Sequence, residues 1–184
     1  MFVEQMQSVT NSHSEQPTGG LHFVGKKDDL VAAKRSFRTL EDRDVLIVSH
    51  EGVFYALDSY CYHAGGKLDH GDIEEFDGKL CIICPKHKYK ISLAKGECLS
   101  KAKDPSQDSA LPRWYSKGVK QRTHLVTEIN GDIYVKLSTE PGWLESDYYQ
   151  GEKGKRTRAI AATDEEKTDG SLQKVTSGQV SVSG

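Results

Sequence analysis

Two short loops of ligand-type residues, Cys61-Tyr62-His63 and Cys84-Pro85-Lys86-His87, are separated by the twenty residues 64–83 in a chain of 184. Around them, residues 61–90 hold three of the chain's four cysteines and three of its seven histidines. Each loop offers one soft sulfur and one imidazole. A fold that closes the loops on each other would therefore bring two Cys and two His together, and it must supply a rigid platform to do so. The N-terminus, "MFVEQMQSVTNSHSEQPTGG", has neither an apolar core nor a basic start and does not read as a secretory signal. Four cysteines without such a signal point to a reducing compartment, where thiols serve as ligands rather than disulfides. The expected location is intracellular and cytoplasmic.

The platform reads as β structure. "DVLIVSH" (44–50), Glu51-Gly52 and "VFYALDS" (53–59) make two β-rich runs around a tight turn. Asp77-Gly78 lies between candidate strands in "IEEFDGKLCII", and Asn130-Gly131 does so in "LVTEINGDIYVKL". Asn-Gly and Asp-Gly supply the positive φ values that two-residue hairpin turns require. "YKISLAKGECLS" predicts a further hairpin, turning near Lys95-Gly96. Short strands at this spacing favour an antiparallel sandwich or small barrel. "DDLVAAKRSF" (28–37) has some helical character, balanced by a strand starting near Ala32.

The flanks differ. The hydrophobic fraction of 36% is low for a compact domain, so part of the chain adds little to a core. Residues 1–20 are polar, and the end of the chain has no sustained period of 3.6 or 2, so both read as disordered tails. The expected organisation is a tail at 1–20, an all-β domain at 21–138, and a mostly disordered extension at 139–184. Within that extension, "PGWLESDYYQ" (141–150) is a candidate to fold back through Trp143, Tyr148 and Tyr149. A formal charge of −2 gives no reason to expect nucleic acid or an anionic membrane as partner. No run approaches the roughly 20 apolar residues that span a bilayer. Nothing argues for more than a monomer.

Other ligand chemistries stay open on the residues alone. Zinc takes two Cys and two His, and Cys81-Ile82-Ile83-Cys84 is also a C-x-x-C. Zinc sites, however, usually draw Cys with Cys and His with His, whereas each loop here mixes them. A redox-active Cys81–Cys84 pair would call for a βαβ setting that the pattern lacks. Cys81 and Cys98 read as small buried residues in strands, and His70 as a turn residue before Gly71. His13, His22, His50 and His124 have no ligand spacing.

The C-x-H and C-x-x-H pair resembles the signature of the Rieske [2Fe–2S] domain, closest to the stand-alone soluble Rieske proteins of animals. The likeness extends to Gly65-Gly66 in "CYHAGGKLDHG", to Pro85 in "CPKHKYKISLAKGECL", and to "VFYALDSYCYH" upstream. "DPSQDSALPRWY" matches a proline loop that covers the cluster, and "EINGDIYVKL" a closing hairpin. The resemblance implies a β-sandwich with a small two-loop cluster-binding subdomain. It also implies that Cys61 and Cys84 ligate one iron while His63 and His87 ligate the other, outer iron.

The departures matter too. Respiratory Rieske proteins carry a second Cys in each loop, and these form a disulfide. Here Gly66 and Lys86 stand near those places, and Tyr89 and Ile91 replace hydroxyl donors. The expected potential is therefore low for the class, roughly −150 mV. The implied function is a soluble one-electron carrier with donor and acceptor proteins as partners, rather than an enzyme in itself. Alternatives are a cluster-based redox or iron sensor, an interaction module, and a ferredoxin serving a separate oxygenase subunit. Lys67, Lys86, Lys88 and Lys90 read either as a basic collar suited to an acidic redox partner or as ordinary solvated lysines.

Overall fold

The computed structural model describes residues 20–103 and 111–172. Apart from Gly20, the tail expected at 1–20 lies outside the described residues, as do the end of the chain beyond 172 and most of the proline loop. The chain opens with β1 (Leu21–Lys26), α1 (Lys27–Ala33), β2 (Arg35–Leu40), β3 (Arg43–His50) and β4 (Val53–Asp58). A second run holds β5 (Ile73–Phe76), β6 (Lys79–Ile83), β7 (Lys90–Ser92), β8 (Glu97–Ala102) and β9 (Arg113–Val119). It closes with β10 (Thr123–Ile129), β11 (Asp132–Lys136), a 3-10 helix (Glu145–Gln150) and α2 (Glu152–Leu172).

The hairpins form where turn chemistry placed them. Glu51-Gly52, Asp77-Gly78 and Asn130-Gly131 all have both φ values positive, between 49° and 82°. Two-residue turns of this hand match the twist of their flanking strands. The helix–strand ambiguity at 28–37 resolves as a seven-residue helix followed by a strand. Trp114 and Tyr115, expected in the proline loop, lie instead in β9, paired with Lys101 and Ser100 of β8.

The strands make two antiparallel sheets, ordered β1-β11-β10-β4-β3-β2 and β5-β6-β7-β8-β9. Strand β3 is buried on both faces, because alternate residues point to opposite sides. Val45 and Ile47 join Val24, Ile133, Val135 and Leu30 of α1 in one core. Leu46 and Val48 join Leu57, Leu68, Ile82, Ile91 and Leu93 in another, between the two sheets. Each fully buried leucine or isoleucine there contributes roughly 1.5–3 kcal/mol. Cys61 and Cys84 belong to this second core, so both loops start from buried, packed residues.

Within the described part of the extension, 145–150 and 152–172 are helical. A buried polar network anchors it, which hydrophobic periodicity does not register. Asp58 is fully buried and takes a two-pronged ion pair from Arg43, at 2.7 Å on each oxygen. The Ser146 hydroxyl donates to Asp58 at 2.5 Å. Arg122 forks onto Asp147 at 2.8 and 2.7 Å, and Arg43 reaches the same carboxylate. Gln150 exchanges two hydrogen bonds with the backbone of Asp44. Among the described residues no helix is long and apolar enough to cross a membrane.

Candidate metal centre

Loop one leaves β4 at Asp58 and loop two leaves β6 at Ile83, and the two are built alike. The Cys61 N–H donates to the Gly66 carbonyl at 2.8 Å, and the Gly65 N–H donates back to the Cys61 carbonyl at 2.8 Å. In loop two the Cys84 N–H donates to Tyr89 at 2.8 Å and the Lys88 N–H to Cys84 at 2.9 Å. The residue four after each cysteine has a left-handed φ, 66° at Gly65 and 57° at Lys88. One turn geometry thus occurs twice, with its histidine at the second position in one loop and the third in the other.

The consequence is a sorting of side chains that the mixed spacing did not reveal. Cys61 and Cys84 are both 1% exposed, are not joined by a disulfide, and bring their sulfurs next to each other. His63 and His87 stand together at the exposed end, ring centroids 4.9 Å apart at 88°. Tyr89 stacks on His63 at 4.2 Å. Like is paired with like: sulfurs inside, imidazoles outside. Among the described residues, no three Cys, His, Asp or Glu side chains gather at one point.

The backbone prepares the inner pair for negative charge. The N–H groups of His63 and Ala64 point at Cys61, and those of Lys86 and His87 point at Cys84. Those amides favour the thiolate form at both sulfurs, against the burial that opposes it. A Cβ on Gly66 would sit 3.1 Å from Lys86 Cβ and 3.2 Å from Cys84 Sγ, so the two loops approach as closely as a glycine permits. Two thiols in amide cradles, with two imidazoles beside them at the surface, fit a binuclear iron–sulfur cluster.

The remaining candidates fall where their surroundings dictate. Cys81 is buried in β6, and burial raises its pKa to about 11. Cys98, also buried, accepts the Tyr62 hydroxyl at 2.7 Å. His70 is exposed beside Asp69. His124 is buried, bonded to Asp58 at 3.2 Å and to the Ser138 N–H at 3.1 Å, which makes it structural. Lys67, Lys86 and Lys88 are exposed around the histidine pair. Lys90 instead folds onto the Lys88 carbonyl at 2.9 Å and over the Phe76 ring.

Sequence reading missed Gln121. Its fully buried amide donates to the carbonyls of Asp58 and Tyr60, each at 2.8 Å, and accepts the Tyr62 N–H at 2.9 Å. Three bonds from one side chain thereby hold the strand that enters loop one. Gly96 lets this happen, since a Cβ there would lie 1.8 Å from the Gln121 carbonyl. Tyr149, at 8% exposure, donates to the His63 carbonyl at 3.1 Å.

Comparison with known proteins gives the family. Residues 22–140 match the model of the soluble Rieske-type ferredoxins. The chain belongs to that family. It is 52% identical over 126 residues to a human Rieske domain-containing protein, covering 68% of this chain and 80% of the relative. It is 35% identical over 75 residues to the ferredoxin component of the alkene monooxygenase system of Xanthobacter autotrophicus, covering 41% of this chain and 59% of the relative. The solved ferredoxin of carbazole 1,9a-dioxygenase from Nocardioides aromaticivorans aligns with a TM-score of 0.45 and 20% identity, over 65% of this chain and all of that one. As a Rieske-type ferredoxin the chain carries a [2Fe–2S] cluster and works in electron transport.

Proposed function

We propose that this Rieske-type ferredoxin is a one-electron carrier in which Cys61 and Cys84 hold the inner iron and His63 and His87 the outer one. The observation that supports this most is the sorting of four side chains into a buried sulfur pair and an exposed imidazole pair on two matched loops. When bound, the cluster supplies one reversible electron at its histidine-ligated iron. The chain's own residues do the rest. The amide cradles favour thiolates, Tyr89 braces the His63 ring, and the exposed imidazole edges give a partner protein its point of approach.

Beside loop two, Ile91 is wholly buried hydrocarbon where a hydroxyl would raise the potential. The potential accordingly lies at the low end of the Rieske range, roughly −150 mV. A protein-film voltammetry midpoint above 0 mV would overturn that value. Lys67, Lys86 and Lys88 make the approach surface basic and favour an acidic redox partner. The identity with an alkene monooxygenase ferredoxin component favours an oxygenase-type acceptor on a separate chain.

The deciding experiment is EPR on anaerobically purified, dithionite-reduced protein, with iron and zinc assayed on the same sample. The expected result is a rhombic signal with average g below that of an all-Cys [2Fe–2S] centre, and two irons per chain. One zinc per chain and no signal would overturn the assignment.

A further inference from the structure

The segment 143–158 lies beyond the residues that match the family, yet part of it sits directly on loop one. We propose that it is a strap that positions loop one, with Tyr149 setting the backbone of His63. The inference rests on reading loop one as a ligand loop.

The strap is anchored away from the loop and bears on it at three points. Its anchors are Ser146 and Asp147 in the buried Asp58–Arg43–Arg122 network, and Gln150 on Asp44. Gly154 lets α2 turn in close behind, because a Cβ there would lie 2.1 Å from the Tyr148 carbonyl. The first bearing point is the Tyr149 hydroxyl on the His63 carbonyl. The second is the Tyr149 ring, which fills the space above Gly65, where a Cβ would fall 2.6 and 2.7 Å from two ring carbons. The third is the Arg158 guanidinium, 3.4 Å above the centre of the Tyr60 ring, next to Cys61.

These contacts answer a physical need. Tyr89 and His87 stand against the ring of the exposed His63, but neither holds its backbone, and an imidazole ligand is only as well placed as its backbone. Gln121 fixes the way into the loop. Tyr149 fixes its middle, one carbonyl from the imidazole. Loop rigidity should then slow the release of iron and fix the environment of the outer ligands. Tyr149 is a positioning residue, acting through His63.

The test compares Tyr149→Phe, Tyr149→Ala and Tyr148→Phe, the last at an exposed neighbour. Hydrogen exchange at 61–66, where the Cys61, Tyr62 and Gly65 amides report, is measured against 84–89 as internal reference. Tyr149→Phe keeps the ring and loses one hydrogen bond, so exchange at 61–66 should rise about fivefold, and iron release to a chelator by a similar factor. Tyr149→Ala should raise both by tens of fold or more, Tyr148→Phe should change neither, and 84–89 should stay at its wild-type rate in all three. A shift in the EPR g values of Tyr149→Phe would show that the strap reaches the ligand environment. Wild-type exchange at 61–66 in both Tyr149 variants would overturn the proposal, and so would equal acceleration of the two loops. Exchange in protein lacking iron reads the strap independently, so failure of the cluster assignment shows up in the metal assay alone.

Discussion

Gln121 and Asp58 are both fully buried polar residues, and each is stable inside only because its hydrogen-bonding capacity is used. Gln121→Leu keeps similar bulk but leaves the Tyr62 N–H and two carbonyls unsatisfied in the core. It should cost about 3 kcal/mol by urea denaturation and loosen loop one. Cysteine chemistry divides at the same scale. Cys81→Ala should keep two irons per chain, since its sulfur lies outside the sulfur pair, whereas Cys84→Ala should lose the iron. Quantifying iron in the two purified variants separates a buried filler from a ligand. Equal iron loss in both would refute the assignment.

At the scale of elements, the turns and the loops use glycine for different reasons. Gly78 has φ 71° with open space around its missing Cβ, so only backbone strain opposes a side chain there. Gly78→Ala should cost about 1 kcal/mol and leave the visible spectrum of the cluster unchanged. A Cβ on Gly66 would fall 3.1–3.2 Å from Lys86 and Cys84, so loop two must give way to admit a methyl group. Gly66→Ala should therefore alter the visible and EPR spectra even if its thermal midpoint falls no further than that of Gly78→Ala. Identical spectra in the two variants would show that the loops do not meet this closely.

Across the whole molecule, one ionic network joins the β sandwich to the strap. Burial pushes Asp58 and Asp147 up. Hydrogen bonds from His124, Arg43 and Ser146 to Asp58, and from Arg122, the Leu144 amide and Arg43 to Asp147, outweigh it and hold both below the usual carboxylate range. A carboxylate whose folded pKa is depressed lends stability above its unfolded value, about 3.9, and loses it as pH falls through the folded value. Urea midpoints should thus stay level from about pH 8 to about pH 5 and drop below about pH 4. Asp147→Asn should lower stability at neutral pH by about 3 kcal/mol and flatten the acid decline. An unchanged acid slope would show that Asp147 has no part in it. The variant should also raise exchange at 61–66, because the strap hangs on this carboxylate.

How much of this was legible beforehand follows from the range of the forces involved. Hairpin turns and strand alternation are local, set by φ preferences and period-two burial, and Asp77-Gly78 and Asn130-Gly131 announced them directly. The ligand-type residues could be picked out because Cys and His at such short spacing seldom gather for packing alone. The helical segments of the extension could not, since they are held by Ser146, Asp147, Gln150 and Tyr149 reaching residues 24 to 106 positions away. Gln121 gave no signal for the same reason. Sequence alone determined the strands, the turns and the two candidate ligand loops. Only the tertiary structure decided that the sulfurs pair inside and the imidazoles outside, and that the extension bears on loop one, because those contacts exist only once distant backbone has been brought together.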